Sequence, residues 1–300
     1  EKEFLVITKQ EKTLIPCGIP YVFGSVYSTE KNILPAEVSF EKCGVNIMHD
    51  EVVSINREKK SVSTKSGNEI FYEKLLLATG SNPIKPKWLK GVELQNVFTV
   101  PKNKNYLDEM QSNIKNFNKI VVIGAGFIGI ELSDELNKLG KEVVLIEKLP
   151  HILSLAFDEE ISEKAEKVLI ERGVKIKTGI GVKEIVGANK VESVILDNGD
   201  KINADAVVLS IGYYPNNKLA ESAGLLMNEM GFVKVDEYMR TDDPFIFAIG
   251  DCAEKKNFVT RKSAPTMLAS TACAEARIAG MNLFKLSAIK TFSGTISIFS

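Results

Sequence analysis

Apolar positions in this chain fall into short β-branched runs, separated by stretches in which they recur every three or four residues. Ile120-Val121-Val122-Ile123 is one such run, too short for a helix and suited to a strand covered on both faces of a parallel sheet. After it Ile128, Leu132, Leu136 and Leu139 keep helical spacing, Gly140 supplies a stop, and Val143 to Ile146 form a second buried run. Leu75 to Leu77, Val207 to Ile211 and the run ending at Asp251 read as further strands, as does Phe4 to Thr8. Val45 to Tyr72 alternates around a turn at Lys65 to Asn68, which predicts a small antiparallel hairpin. Val182 to Ala206 is also strand-like, with turns at Gly187-Ala188-Asn189 and Asp197 to Asp200. Helices are predicted from about Asp158 to Glu171, stopped by Gly173, and over the small-residue stretch Ala264 to Asn282. Asn103 to Asn118 is polar with a short helical stripe (Tyr106, Met110, Ile114) and reads as a surface connection, and Thr291 to Phe299 as one more strand. Strands alternating with helices define an α/β fold.

The turn after Ile123 carries chemistry. Gly124-Ala125-Gly126-Phe127-Ile128-Gly129 satisfies G-x-G-x-x-G between a strand and a helix. The first glycine permits the tight turn, the second lets backbone approach a pyrophosphate, and the third allows close packing of helix on strand. The helix N-terminus it opens can hold phosphate. Glu147 ends the second strand at close to the spacing of about 20 residues expected of the acid that binds a ribose 2′-hydroxyl. Its charge opposes a 2′-phosphate and favours NADH, while Lys148 beside it leaves NADPH open as a donor.

Length and charge narrow the classes. Three hundred residues predict about two domains, and a net charge of −1 offers no footprint for nucleic acid or an anionic membrane. No apolar run approaches the roughly 20 residues that span a bilayer, and EKEFLVITKQ is no signal peptide. Four separated cysteines (Cys17, Cys43, Cys252, Cys273) fit neither a CxxC site nor a disulfide scaffold, which points to a reducing, cytoplasmic setting. Two histidines, His49 and His151, give a metal centre little to draw on, and none is expected.

Cys17 lies among Pro16, Gly18, Pro20 and Gly24, which fix the backbone and bar a regular helix or ladder. Two readings stand: a small buried filler, which composition favours, or a positioned thiol. Ala78-Thr79-Gly80-Ser81-Asn82-Pro83 ends one buried strand in small residues, and Ser210-Ile211-Gly212 repeats that design beyond the fingerprint. Small residues at a strand's carboxyl end allow close approach of a cofactor.

CGIPY at Cys17, ATGSNP at Ala78, GAGFIGIE at Gly124, SIGYYPN at Ser210 and TDDPFIFAIGDCAE at Thr241, in that order, resemble the pyridine nucleotide-disulfide oxidoreductases. Within them the chain looks like the single-cysteine branch of coenzyme A-disulfide reductases, persulfide reductases and NADH oxidases. The resemblance implies two Rossmann-like domains, one for FAD and one for NAD(P)H, the second inserted in the first. It divides the chain into an FAD-binding part (1–116), an NAD(P)H-binding domain (117–240), a second FAD-binding part (241–288) and the start of a dimerisation domain (289–300). Asp251 is implied to accept a hydrogen bond from the flavin's ribityl chain, Thr79 and Gly80 to lie along the FAD, and Val52 and Val53 to hold the adenine through backbone. Glu131 is implied at the nicotinamide-flavin junction and Gly212 beside the NAD site, joining Gly124, Gly126, Ile128, Gly129 and Glu147. The family's first glycine fingerprint is expected before Phe4 and most of its dimerisation domain after Ser300, so the chain reads as the central part of a longer homodimeric protein. The acid that ends the second FAD-domain strand is replaced, with Thr8-Lys9 there and Glu11 just beyond. Cys17, with no second cysteine four or five residues on, is implied as the single redox sulfur. It acts on a small disulfide or persulfide, or cycles through a sulfenic acid with oxygen or peroxide. A nucleotide-binding relic is the non-catalytic alternative.

Overall fold

The computed structural model describes residues 2–286 and 290–296, which build two α/β units of the same plan. The second unit is the clearer one. Five parallel strands lie in the spatial order Lys175–Lys177, Glu142–Ile146, Lys119–Ile123, Ala206–Leu209, Val97–Thr99. Their unbroken apolar runs are explained by what covers each face. Ile120, Val122, Val143, Leu145 and Val208 point into a core with Leu132 and Leu136 of the fingerprint helix (Phe127–Lys138) and with Leu107, Met110 and Ile114 of the connecting helix (Lys104–Ile114). Val121, Ile123, Val144, Ile146, Val207 and Leu209 point the other way, onto an antiparallel meander of Val182–Val186, Ser193–Leu196 and Lys201–Asn203. Helices cover one face and a second sheet the other, so the interior positions of the three central strands, residues 120–123, 143–146 and 206–209, are not free to be polar. Each fully buried aliphatic side chain contributes about 1.5–3 kcal/mol.

The first unit repeats this with fewer strands. Phe4–Thr8 pairs in parallel with Val45–His49, and Leu75–Leu77 with Ile246–Ala248. Val52–Asn56, Ser61–Thr64 and Glu69–Phe71 form its meander. Leu77, Ile246 and Ala248 share one core with Ile55, Val62, Leu225 and Val233, while Phe247 and Ile249 turn to another with Met239 and Ala279. The second unit is inserted into the first, and the two crossings run side by side as an antiparallel pair, Ser81–Pro83 against Tyr213–Pro215. No helix among the described residues is long and apolar enough to cross a membrane.

Four expectations are corrected. Val45–His49 does not join the hairpin; it lies beside Phe4–Thr8, because alternation reports one covered face and not the direction of the partner strand. The connecting helix is no mere surface link, since its stripe lies in the core. The small-residue helix runs Ala269–Asn282, shorter than Ala264–Asn282, because Pro265 bars Ala264 from helical geometry and Ser263–Ala264 pairs with Lys255–Lys256. Of Thr291 to Phe299, residues 297–299 lie outside the described residues; among the described ones Thr295 makes one isolated bridge, to Asn257, and no strand forms.

The fingerprint glycines divide by role. Gly124 sits at φ +98°, and a Cβ there would lie 2.6 Å from the Ser210 carbonyl oxygen; a Cβ at Gly129 would lie 1.9 Å from the Gly124 carbonyl oxygen. Gly126 has open space where its Cβ would be, and its φ of −74° suits any residue. Gly124→Ala and Gly129→Ala are therefore each expected to cost about 1–3 kcal/mol, and Gly126→Ala no more than about 0.5 kcal/mol. Urea midpoints at constant m-value check this; equal losses at all three positions would remove the distinction.

Candidate functional site

Three clusters form where the two units meet the crossings. The first is the fingerprint. Gly126 precedes the helix without any side-chain cap, so first-turn N–H groups face outward, and Ile128 sits in that turn with its side chain against the core. Glu147, at the end of the neighbouring strand, accepts from the Ala125 N–H at 2.7 Å and the Leu149 N–H at 2.9 Å. Its carboxylate thus stands against the glycine turn. The open side of Gly126 with this acid beside it is a cradle fitted to an anion flanked by a hydroxylated group.

The second cluster joins the crossings to Asp251. The Asn216 N–H donates to the Gly80 carbonyl at 2.9 Å, Thr79 Oγ1 to the Asn216 carbonyl at 2.7 Å, and Asn216 Nδ2 to the Thr79 carbonyl at 3.1 Å. Gly212 accepts from the Ile84 N–H at 3.0 Å on the same ladder. Both small-residue strand ends are thereby brought to one place, and the space where a Cβ of Gly80 would stand is open. Asp251, in the short turn Gly250–Cys252, accepts from Ser81 Oγ at 2.7 Å and from Lys102 Nζ at 2.5 Å, both through Oδ2. Burial pushes the Asp251 carboxyl up, but the Lys102 ammonium and the Ser81 hydroxyl outweigh it and hold it below the usual carboxylate range. Tyr213 lies nearby, its hydroxyl donating to the Val100 carbonyl at 2.5 Å; burial, then the Asp251 charge, push this phenol up to about 12.

The third cluster carries the cysteine. Cys17 lies in a 3-10 turn, Pro16–Gly18, and is exposed, which overturns its reading as a buried filler. Cys43 and Cys273 are also exposed, and Cys252 is buried. Gly18 is required by space, since a Cβ would stand 1.9 Å from the Oδ1 of buried Asn32, whose Nδ2 donates to the Ile15 carbonyl at 3.0 Å. The chain then makes a second turn, Pro20–Phe23, which packs on the fingerprint helix. Gln111 Nε2 holds the Val22 carbonyl at 2.6 Å. Glu135, almost fully buried, accepts from the Ser25 N–H through Oε2 and from the Ser25 hydroxyl through Oε1, and Lys138 Nζ meets Oε1 as well, at 2.7 Å. Four residues earlier on the same helix face, Glu131 stands against Tyr21. The Glu131 charge, followed by burial and Glu135, pushes the Tyr21 phenol up. Burial pushes Glu131 up as well, with Tyr21 opposing and Glu135 adding. The segment bearing Cys17 is in this way clamped to the helix that the glycine fingerprint opens.

Val52 and Val53 stand apart from these clusters, at the start of the first meander. The ladder slips there: Val52 pairs with Thr64 and Ser54 with Ser63, so Val53 is bulged and its backbone is released from pairing. Ser81, Lys102, Tyr21, Tyr213 and Glu135 are site residues that the sequence reading did not single out. Ser81, Tyr21 and Tyr213 lie inside motifs that it quoted. Nothing local marks Lys102 or Glu135 for these contacts, since Asp251 lies 149 residues from the one and Ser25 110 residues from the other.

The chain belongs to the pyridine nucleotide-disulphide oxidoreductases, whose family model matches residues 2–276. It is 32% identical over 296 residues to an NADH oxidase of Methanocaldococcus jannaschii, covering 94% of this chain and 64% of that protein. It is also 32% identical over 278 residues to a CoA-dependent NAD(P)H sulfur oxidoreductase of Pyrococcus abyssi, covering 89% and 60%. Among solved structures, a NAD-dependent persulfide reductase from A. fulgidus superposes with a TM-score of 0.90 at 31% identity, over 98% of this chain and 56% of that one. The chain thus spans somewhat under two-thirds of the length of these relatives.

The Tyr213 environment sets a pH response. A phenol whose folded pKa is raised contributes stability below its unfolded value and loses it as pH climbs through the folded value. Relative to Tyr213→Phe, wild type is expected to hold an advantage of about 0.5–1.5 kcal/mol from the Val100 hydrogen bond at neutral pH. That advantage falls by about 2–3 kcal/mol between the ordinary tyrosine value and about 12. Paired urea titrations across this range check it, and a difference independent of pH would contradict the raised phenol.

Proposed function

We propose that the chain is the electron-carrying part of an NADH-dependent flavoenzyme that reduces a small sulfur compound (coenzyme A disulfide, a persulfide or a polysulfide) through Cys17. The observation that carries this reading is the exposed Cys17 segment, clamped by Tyr21 and Ser25 against the helix of the glycine fingerprint and by Val22 against the connecting helix. The segment that carries the sulfur thus rests on the helix that the dinucleotide turn opens. The names of the relatives support the same class of chemistry, and a homodimer is expected of the full-length protein.

In this reading FAD is held by Asp251, whose Oδ1 has no partner among the described residues, by Thr79 and Gly80, and by the released backbone at Val53 beside Val52. NADH is held by Gly124, Gly126, Ile128 and Gly129 with Glu147, near Gly212, and Glu131 stands at the nicotinamide end. When bound, FAD supplies passage of two electrons from NADH to sulfur. Lys102 and Ser81 keep Asp251 ionised as an acceptor, and Ser25 with Glu135 orients the cysteine loop. The Cys17 thiolate attacks the substrate disulfide, forming a mixed disulfide and releasing one thiolate. Two electrons from NADH then cleave that bond, returning Cys17 as thiolate and releasing the second thiol with a proton from solvent. A second reading, an NADH oxidase or peroxidase cycling Cys17 through a sulfenic acid, is favoured by the equal identity to the Methanocaldococcus jannaschii enzyme.

Cys17→Ser in the full-length protein is expected to retain bound FAD and its bleaching by NADH, yet lose turnover of coenzyme A disulfide and polysulfide. Unchanged turnover returns Cys17 to a structural role. Oxygen and peroxide, assayed in parallel on wild type, separate the two readings by which acceptor gives the higher kcat/KM. Glu147 sets the donor: kcat/KM for NADH is expected to exceed that for NADPH by about tenfold or more. Parity between the two would mean that Lys148 compensates for the acid.

A further inference from the structure

The turn that presents Asp251 is built on a buried ion pair. Lys255 Nζ lies 3.3 Å from Glu275 Oε1, and both side chains are 0% exposed. The ammonium donates to the Gly250 carbonyl and, at 2.9 Å, to the Ala253 carbonyl. The carboxylate accepts from the Gly250 N–H at 2.7 Å through Oε2. Both polar backbone groups of Gly250 are thus held by opposite charges, one residue before Asp251. Gly250 sits at φ +70° with the Ala272 methyl 3.8 Å from where its Cβ would be, so the turn is also pressed against the small-residue helix that brings Glu275.

Stability does not account for such a pair. Two charges taken out of water carry a desolvation cost that their attraction often fails to recover, and apolar residues of similar volume are commonly as stable or more so. Neither charge touches solvent, and their other contacts are the backbone of one turn. That turn carries a residue proposed above to hold the flavin.

We propose that Lys255 and Glu275 are positioning residues for Asp251, locking Gly250 through its own N–H and C=O so that the carboxylate is fixed where it meets FAD. The proposal rests on the assignment of Asp251 to FAD. An apolar pair would fill the same volume but leave Gly250 free to rotate, and Asp251 with it. A Glu275→Gln side chain would keep an acceptor for the Gly250 N–H.

The test uses the full-length protein stripped of flavin and reconstituted, with the FAD Kd read by flavin fluorescence and NADH binding as a control on the second unit. Lys255→Met/Glu275→Leu and Lys255→Met/Glu275→Gln are compared, so that no unpaired ammonium remains in either. The Leu variant is expected to keep wild-type NADH affinity, to show a lowered urea midpoint because the Gly250 N–H and carbonyl lose their partners, and to weaken FAD about tenfold or more. The Gln variant is expected to recover most of that loss. Equal FAD affinity in the two variants and wild type, with Asp251→Ala still losing FAD, overturns the positioning role alone. Should the Leu variant fail to fold, the Gln variant and Glu275→Gln alone carry the test. FAD affinity lower in Lys255→Met/Glu275→Gln than in Glu275→Gln supports the ammonium's hold on the Gly250 carbonyl, and equality overturns it. An Asp251→Ala protein that binds FAD as wild type does overturns the flavin assignment and the positioning role together.

Discussion

The structure depends on one short antiparallel contact, Ser81–Pro83 against Tyr213–Pro215. It is the place where the chain leaves the first unit and returns to it. Thr79, Gly80 and Asn216 extend it by three further hydrogen bonds. Two buried strand ends that are far apart in sequence are thereby made adjacent, and Asp251 reaches them through Ser81. A shift in this register would carry Gly80 and Gly212 out of their present alignment and break the link to Asp251. Small residues are needed here because backbone, not side chain, makes the contact.

Around that contact the protein uses buried charge to hold backbone. Glu135 grips the N–H and hydroxyl of Ser25, and the Lys255–Glu275 pair grips Gly250. Aspartate 251 is itself gripped by Lys102 and Ser81. In a low-dielectric interior such hydrogen bonds are strong and directional, and leaving one unmade is expensive. Apolar packing could fill the same space but would not specify the orientation of a turn. The first two of these grips act on different turns, one beside the cysteine segment and one before the proposed flavin carboxylate. Each turn is short and rich in glycine or proline, and has few contacts of its own to define it.

The parts of this design that are local in sequence were legible in it. The Ile120–Ile123 strand, the glycine turn and the helix to Gly140 are one continuous stretch, and each glycine's role follows from position within it. The matching strand ends at Leu77-Ala78-Thr79-Gly80 and Leu209-Ser210-Ile211-Gly212 were visible for the same reason. The end of the small-residue helix was legible and its start was not, because alanine-rich spacing continues past Pro265 while the proline's geometry does not allow the helix to. Val45–His49 alternates as any half-covered strand does, and nothing in that alternation names its partner.

Sequence by itself determined the two-unit α/β plan, the dinucleotide turn and the family, because hydrophobic period and turn chemistry act within about 30 residues. Tertiary structure alone decided that Lys102 reaches Asp251, that Glu135 holds Ser25, and that Lys255 and Glu275 close on Gly250. A lysine or glutamate reads the same in sequence whether it is solvated or buried. Which of the two it becomes is set by elements that fold in from elsewhere in the chain, 149 residues away for Lys102 and 110 for Glu135.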